Sequence, residues 1–303
     1  MQPPSEQAGT FMGVPVLRGA PGRGDAVIIG APRGVSYPVP GPADGCVEGP
    51  AAIRRRSQRL ARFVGHHDFD LDGPLLPAGA TLRIHDGGDL AGPEETREEV
   101  ARLVTAGAVP IVLGGDDSIT IPVLRGLGAI DALTVLQFDA HLDYRDEVAG
   151  VREGYSSAMR RASEMAHVAR IVQVGLRGVG SARVGDVADA RGAGNVLVTV
   201  DDLHAHGADL VLDQLPAAHP VFIALDLDAL DPSVTPGVSA PAPGGMSYAQ
   251  VRDLLVGVGT RFGVVGAVVT ELAPQLDRNE ITALVAARLV SVLIGAVGRR
   301  RLE

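Results

Sequence analysis

Three short acidic constellations each follow an apolar run directly. Asp139-Ala140-His141-Leu142-Asp143 comes after LTVLQF. In extended backbone, residues i, i+2 and i+4 project to one side, so two carboxylates and an imidazole would leave the end of a buried strand together. Asp226-Leu227-Asp228, running on to Asp231-Pro232, comes after PVFIAL, and its spacing again puts two carboxylates on one side. Gly114-Gly115-Asp116-Asp117-Ser118 comes after VPIVL. Charged groups at the ends of buried strands are costly unless something compensates them. Arginines would serve, and so would divalent metal. Oxygen-rich sites with some imidazole suit Mn²⁺, and a carboxylate can bridge two ions. Taken singly, each motif has a plainer reading: DxHxD as a cap and turn, GGDDS as a tight turn whose Asp caps a helix. Together, at matching places after three strands, they predict a metal site.

The elements that must position these groups alternate along the chain. Apolar, β-branched runs predict strands at 26–31, 81–86, 109–114, 133–138, 169–175, 195–199, 220–227 and 263–271. Helical spacing predicts helices near 50–63, 93–106, 118–127, 157–165, 181–190, 205–215, 247–258 and 279–296. Strands apolar throughout are buried on both faces, as in a parallel sheet covered by helices. The expected fold is therefore α/β, a three-layer α/β/α sandwich with a mostly parallel sheet of about eight strands. All three motifs would then gather at the carboxyl edge of the sheet, where open α/β folds bind ligands. Residues 1–24, rich in Pro and Gly, read as a loosely ordered arm, and 25–303 as a single domain. Two long Gly/Pro-rich loops, 32–50 and 231–245, are expected near the site.

Composition narrows the function classes. The 303 residues carry 36 acidic and 27 basic side chains, a net charge of −9, and every basic one is arginine. Lysine Schiff-base chemistry and the lysine of a phosphate-binding P-loop are excluded. An acidic chain with 3% aromatics and no tryptophan argues against nucleic acid. The single Cys46 has no internal disulfide partner, and no basic start followed by an apolar run opens the chain; both fit a cytoplasmic setting. The most apolar stretch, Ile281 to Val297, is interrupted by Thr282, Arg288 and Ser291 and reads as a buried helix, with no membrane partner. Arg54, Arg55, Arg56, Arg59 and Arg62 read as a solvated or subunit-contact helix face.

The motifs resemble the signature blocks of the ureohydrolases: arginases, agmatinases and related amidinohydrolases. The blocks are GGDDS, FDAHLD, the long run at 224–245 (ALDLDALDPSVTPGVSAPAPGG) and TELAP. IGAPRGVSY at 29–37, GPAAIR at 49–54, HDGGD at 85–89 and QVGLRG at 173–178 support them, and FMGVP at 11–15 with MRRASE at 159–164 favours the agmatinase-like branch. The resemblance implies an arginase-like fold, a trimer or hexamer, and two Mn²⁺ ions sharing a hydroxide. That hydroxide attacks a guanidinium carbon and releases urea and an amine. Asp139, His141, Asp143, Asp226 and Asp228 match family metal ligands. Glu271 matches the carboxylate that holds the guanidinium, a pairing that bidentate geometry explains.

The chain departs from the family in three places. Asp117 stands where GGDHS has a ligand histidine, which leaves open a two-ion site with added charge, a single-ion site, or Ni²⁺ in place of Mn²⁺. Tyr155 aligns with a histidine that helps move protons; with an ordinary pKa near ~10 it is a hydrogen-bond donor, and His167, His204 and His206 read as surface residues. The loop PVPGPADGCVE after Tyr37 brings Asp44 and Glu48 and no arginine, which would favour a cationic substrate tail. Cys46 in that loop reads as incidental. The expected metal ligands are Asp117, Asp139, His141, Asp143, Asp226 and Asp228. Asp143, His141, Glu271 and Tyr155 are expected to act in catalysis, and Glu271, Tyr155 and Asp44 to touch a small cationic guanidino substrate such as agmatine or a larger guanidino-alkyl compound. A silent relative kept for assembly or binding, and a formimino or acyl hydrolase on the same centre, are the alternatives.

Overall fold

A computed structural model describes residues 9–300. Eight strands form one sheet in the order β2-β1-β3-β8-β7-β4-β5-β6, and every pairing in it is parallel. The strands are β1 (Ala26–Ala31), β2 (Ile84–Asp89), β3 (Val109–Gly114), β4 (Leu133–Phe138), β5 (Val168–Leu176), β6 (Val196–Thr199), β7 (Val221–Asp226) and β8 (Val264–Thr270). In β1, β3, β4 and β7 every residue is buried, as a sheet covered on both faces requires.

Alternation along the strands sorts the helices into two layers. Ala26, Ile28, Ile111, Leu136, Phe138 and Ile223 face one core. It is closed by α1 (Gly49–Ala61), α6 (Val200–His206), α7 (Asp209–Leu212), α8 (Tyr248–Arg261) and α9 (Ile281–Arg300). Val27, Ile29, Val112, Val135 and Phe222 face the other, beneath α2 (Pro93–Thr105), α3 (Thr120–Gly126), α4 (Ala158–Ser163) and α5 (Val184–Gly192). The three-layer sandwich is the expected architecture. The apolar C-terminal stretch is the core helix α9: its most apolar window has mean hydropathy 2.1 and is 83% buried, packed against α1 and α8.

Three expectations need correcting. The second strand runs 84–89, not 81–86, because it is an edge strand defined by pairing with β1 from Ile84 onward and is polar in sequence (IHDGGD). The helix expected at 205–215 is two short ones, α6 and α7, because Gly207 between them takes φ 73, a positive-φ conformation that glycine adopts readily and that breaks the helix. The part of the N-terminal arm that is described is pinned: Phe11 is fully buried, its N–H donates to Asp86 Oδ2 at 2.7 Å, and Val16 bridges to Asp86. Residues 1–8 of the arm lie outside the described residues.

The same Asp86 explains GPAAIR and HDGGD. Arg54 on α1 points inward and pairs with Asp86 through Nε at 2.9 Å and Nη2 at 3.0 Å, and with Asp89. The arginine run is thus not wholly a solvated face. Arg55 and Arg56 do face outward, toward Glu280.

Candidate metal centre

The chain order places the site. From β1 the sheet grows to β2 on one side and β3 on the other, then resumes at β4, with β8 and β7 filling the gap between β3 and β4. The crevice at such a reversal, outside the carboxyl ends of the strands, is where open α/β sheets hold ligands. Asp117 follows β3, Asp139 to Asp143 follow β4, Asp226 ends β7 with Asp228 just beyond it, and Glu271 follows β8. Four adjacent central strands therefore deliver every expected metal ligand and Glu271 to one place.

Two groups of ligand atoms are close enough to hold an ion each: Asp139, His141 and Asp228, and Asp117, Asp139 and Asp143. Asp139 belongs to both. Asp226 stands beside them outside either group, its Oδ1 accepting the Asp228 N–H at 2.8 Å. The five aspartates are at most 6% exposed. Among the described residues their one ion-pair partner is His141, whose Nδ1 lies 2.9 Å from Asp228 Oδ2 and 3.5 Å from Asp139 Oδ1. Among the described residues no arginine forms an ion pair with them. Arg177 feels Asp228, Asp139 and Asp226 at longer range but gives its guanidinium to backbone carbonyls, among them Asp228, Ala229, Leu230 and Ala242.

The electrostatics follow from that crowding. Burial and then the neighbouring carboxylates push Asp139, Asp143 and Asp226 well above the usual carboxylate range. Burial lifts Asp117 to about 7 against the hydroxyls of Thr120 and Thr270, which donate to its Oδ1 at 2.7 and 3.1 Å. Asp117 Oδ2 is buried without a hydrogen-bond partner. Burial opposes charge on His141, but Asp228 outweighs it and raises the imidazole to about 9. A buried set of five carboxylates and one imidazole, with an orphaned oxygen aimed among them, has the chemistry of a divalent-cation site. The residues present fit such ions.

Local backbone supports the placement. Asp143 (φ 47) and Glu271 (φ 67) both sit in the left-handed region, strained for residues with a Cβ and concentrated at functional sites. Gly180 is required by the imidazole itself: a Cβ there would lie 2.5 Å from His141 Cδ2. Behind Asp139 runs a buried chain of amides. Asn195 Nδ2 donates to Gln173 Oε1 at 3.0 Å, Gln173 Nε2 to Gln137 Oε1 at 2.6 Å, and Gln137 Nε2 to Asp139 Oδ2 at 2.6 Å.

Above the carboxylates opens a cleft of about 530 Å³. Asp117, His141, Asp143, Asp226, Asp228, Glu271 and Tyr155 all line it, while Asp139 lies beneath. Glu271 Oε1 accepts the Asp117 N–H at 2.8 Å. Its Oε2 accepts from Ser239 Oγ and, at 3.8 Å, from Cys46 Sγ. Burial raises Glu271 to about 8. Tyr155 lies edge-on to Tyr37, ring centroids 4.5 Å apart, and burial pushes its phenol up to about 12, so it stays a neutral donor.

Not every expectation is met here. Asp44 is exposed, caps its own 3-10 turn by accepting the Gly41 N–H at 3.0 Å, and is not on the cleft wall. Cys46, read as incidental, is fully buried against Glu271, and burial raises its thiol far above the usual range. The roles of Ser239, Gln137, Gln173 and Asn195 have no local signature, because Ser239, Gln173 and Asn195 meet partners 22 to 36 residues away and Gln137 meets Asp139 at a buried strand end. His204 and His206 are exposed and His167 bonds to Leu124 O at 3.0 Å; none lines the cleft.

A parallel sheet between two helix layers thus carries a carboxylate-rich cleft at its carboxyl edge. The profile of the Arginase family matches residues 24–295, and the chain belongs to that family. It is 37% identical over 270 residues to the N(1)-aminopropylagmatine ureohydrolase of Thermus thermophilus, covering 84% of this chain and 85% of that one. It is 30% identical over 261 residues to the agmatinase of Pyrococcus horikoshii, covering 83% and 85%. The solved structure of proclavaminate amidino hydrolase from Streptomyces clavuligerus aligns with a TM-score of 0.80 at 30% identity, covering 99% of this chain and all of that one. The motif resemblance is thus borne out at the level of family and fold.

Proposed function

We propose that this protein is a metal-dependent amidinohydrolase that splits a linear guanidino compound into an amine and urea. One observation carries the reading: five buried aspartates and a histidine converge with no arginine in ion-pair contact among the described residues, beside a cleft whose wall also presents Glu271. Asp139, His141 and Asp228 would hold one ion, and Asp117, Asp139 and Asp143 the other, with Asp226 beside them. Bound divalent ions, Mn²⁺ by preference of this oxygen-rich set, lower the pKa of water toward neutrality and stabilise developing charge.

The chain's own residues do the rest. Glu271 takes the guanidinium and orients its carbon; an ionised carboxylate matches two parallel N–H bonds. A cation arriving beside Glu271 favours its charged form and lowers its pKa from about 8. Water adds to the guanidinium carbon, the C–N bond to the alkyl group breaks, and the departing nitrogen takes up the proton that water gives up. Asp143, buried yet on the cleft wall, is the group we assign to carry that proton. Tyr155, also on the cleft lining, donates a hydrogen bond to substrate.

A cytoplasmic homo-oligomer, trimer or hexamer, completes the proposal; light scattering tests the latter. The central experiment is urea release over a panel of guanidino compounds by Mn²⁺-loaded protein of measured metal content. Two ions per chain with urea release supports the reading. One ion without urea favours a formimino or acyl hydrolase, a reading to which Asp117 in a ligand position lends weight. No bound ion defeats both.

A further inference from the structure

What a substrate carries beyond its guanidinium is set by the outer wall of the cleft. Two loops build that wall, Gly178–Ser181 after β5 and Ser239–Pro243 after β7. Burial separates this wall from the floor. The lining acids are all nearly inaccessible, whereas Val179 is 96% exposed and Ala240, Pro241 and Pro243 are exposed as well. Every formal charge among the lining residues lies on the floor: Asp117, Asp143, Asp226, Asp228, Glu271 and His141. The outer wall offers methyls, pyrrolidine rings, the Val179 isopropyl group and the uncharged hydroxyls of Ser181 and Ser239.

Among the described lining residues, neither kind of charged tail has a counter-ion on that wall. A carboxylate tail would need a cation, and Arg177, on the same loop, donates instead to carbonyls from both sides of the cleft. An ammonium tail would need a free carboxylate. Asp186, five residues past Ser181, accepts the Arg183 N–H and pairs with Arg145, and Asp231 accepts from Ser233, Gly244 and Gly245. Asp44 is turned to its own helix. A charged end laid on this wall gives up hydration without compensation, whereas an alkyl end gains by covering Val179 and the prolines.

We infer that the substrate is a guanidino compound with an uncharged, apolar tail, and that Val179 is a specificity-determining residue. This rests on the amidinohydrolase reading above. It replaces the cationic-tail expectation drawn from Asp44 and Glu48.

The test compares kcat/KM for urea release from n-butylguanidine, agmatine and 4-guanidinobutanoate, similar chains ending in a methyl, an ammonium and a carboxylate. The full-length Mn²⁺-loaded protein is used, with metal content measured in parallel. Butylguanidine is expected to exceed each charged compound by roughly tenfold or more. In Val179→Glu, agmatine should gain on butylguanidine by roughly tenfold with metal content unchanged, because the new carboxylate supplies the missing partner; an exposed site tolerates the change. Val179→Leu should keep the original order. Preference for either charged compound in the unaltered protein overturns the inference alone, as does an unchanged ratio in Val179→Glu. Urea from none of the three, in protein carrying its ions, overturns the amidinohydrolase reading and this inference with it.

Discussion

Glu271 shows how one side chain can be both strained and satisfied. Its left-handed backbone turns the carboxylate back over the sheet edge, where Asp117 N–H, Ser239 and Cys46 hold it from three directions. Glu271→Gln keeps the shape and removes the charge. It should lower kcat/KM by roughly 30-fold or more, the equivalent of about 2–5 kcal/mol for one member of a buried charge pair, while bound metal is unchanged. Loss of metal with the activity would place Glu271 among the ligands instead. Asp117→Asn bears on the opposite question. It strips the charge from the one aspartate, among the described residues, with a buried Oδ2 that has no donor, and should reduce the ions retained after dialysis from two to one. Elemental analysis showing two ions in that variant would remove Asp117 from the ligand set.

At the scale of elements, the amide chain crosses from Asn195, just before the edge strand β6, through β5 to the ligand that follows β4. Each carboxamide is oriented by the next, so the last N–H is committed to Asp139 Oδ2. Gln137→Leu should weaken metal retention by about 10–100-fold, the usual effect of losing a group that orients a ligand, read as competition against a chelator with the far-ultraviolet spectrum unchanged. Retention equal to that of the unaltered protein would make the amides mere packing. This network also marks the limit of what sequence displays. Strands β1, β3 and β4 fall at their expected bounds because a strand covered on both faces is apolar at every position, a signal that needs no partner. Edge strand β2 is polar and exists through its pairing with β1, so its bounds were displaced. DxHxD was legible because strand geometry turns its spacing into direction. The meeting of Cys46 with Glu271, 225 residues apart, has no local signature.

Taken whole, the protein confines a large part of its acid excess to one buried pocket, and this makes stability depend on pH in a definite sense. Asp117 at about 7, Glu271 at about 8, and Asp139, Asp143 and Asp226 well above the usual range all hold protons more tightly folded than unfolded. His141, at about 9, shifts the same way. Groups with raised folded pKa values stabilise below their unfolded values and lose that contribution as pH climbs through the folded ones. Protein stripped with a chelator should therefore melt lower at pH 8.5 than at pH 5.5, by on the order of 5 °C or more. Mn²⁺ should abolish or reverse the trend, because the ions take the place of the protons. Equal melting temperatures at the two pH values, metal-free, would mean that the carboxylates are compensated by something other than protons or ions.

The strand order carries a consequence for synthesis. Asp117 and the Asp139–Asp143 group leave the ribosome long before Asp226, Asp228 and Glu271, yet β7 and β8 must come to lie between β3 and β4. The growing chain can build its two flanks early, but the middle of the sheet stays open until the last strands arrive. One ligand triad, Asp117, Asp139 and Asp143, is complete in the first half of the chain, and the other waits for Asp228. Release of the C-terminal segment is thus the step that closes the sheet and joins the two triads through Asp139. A nascent chain halted before β7 would carry the acids of half a centre with no wall to shield them from water.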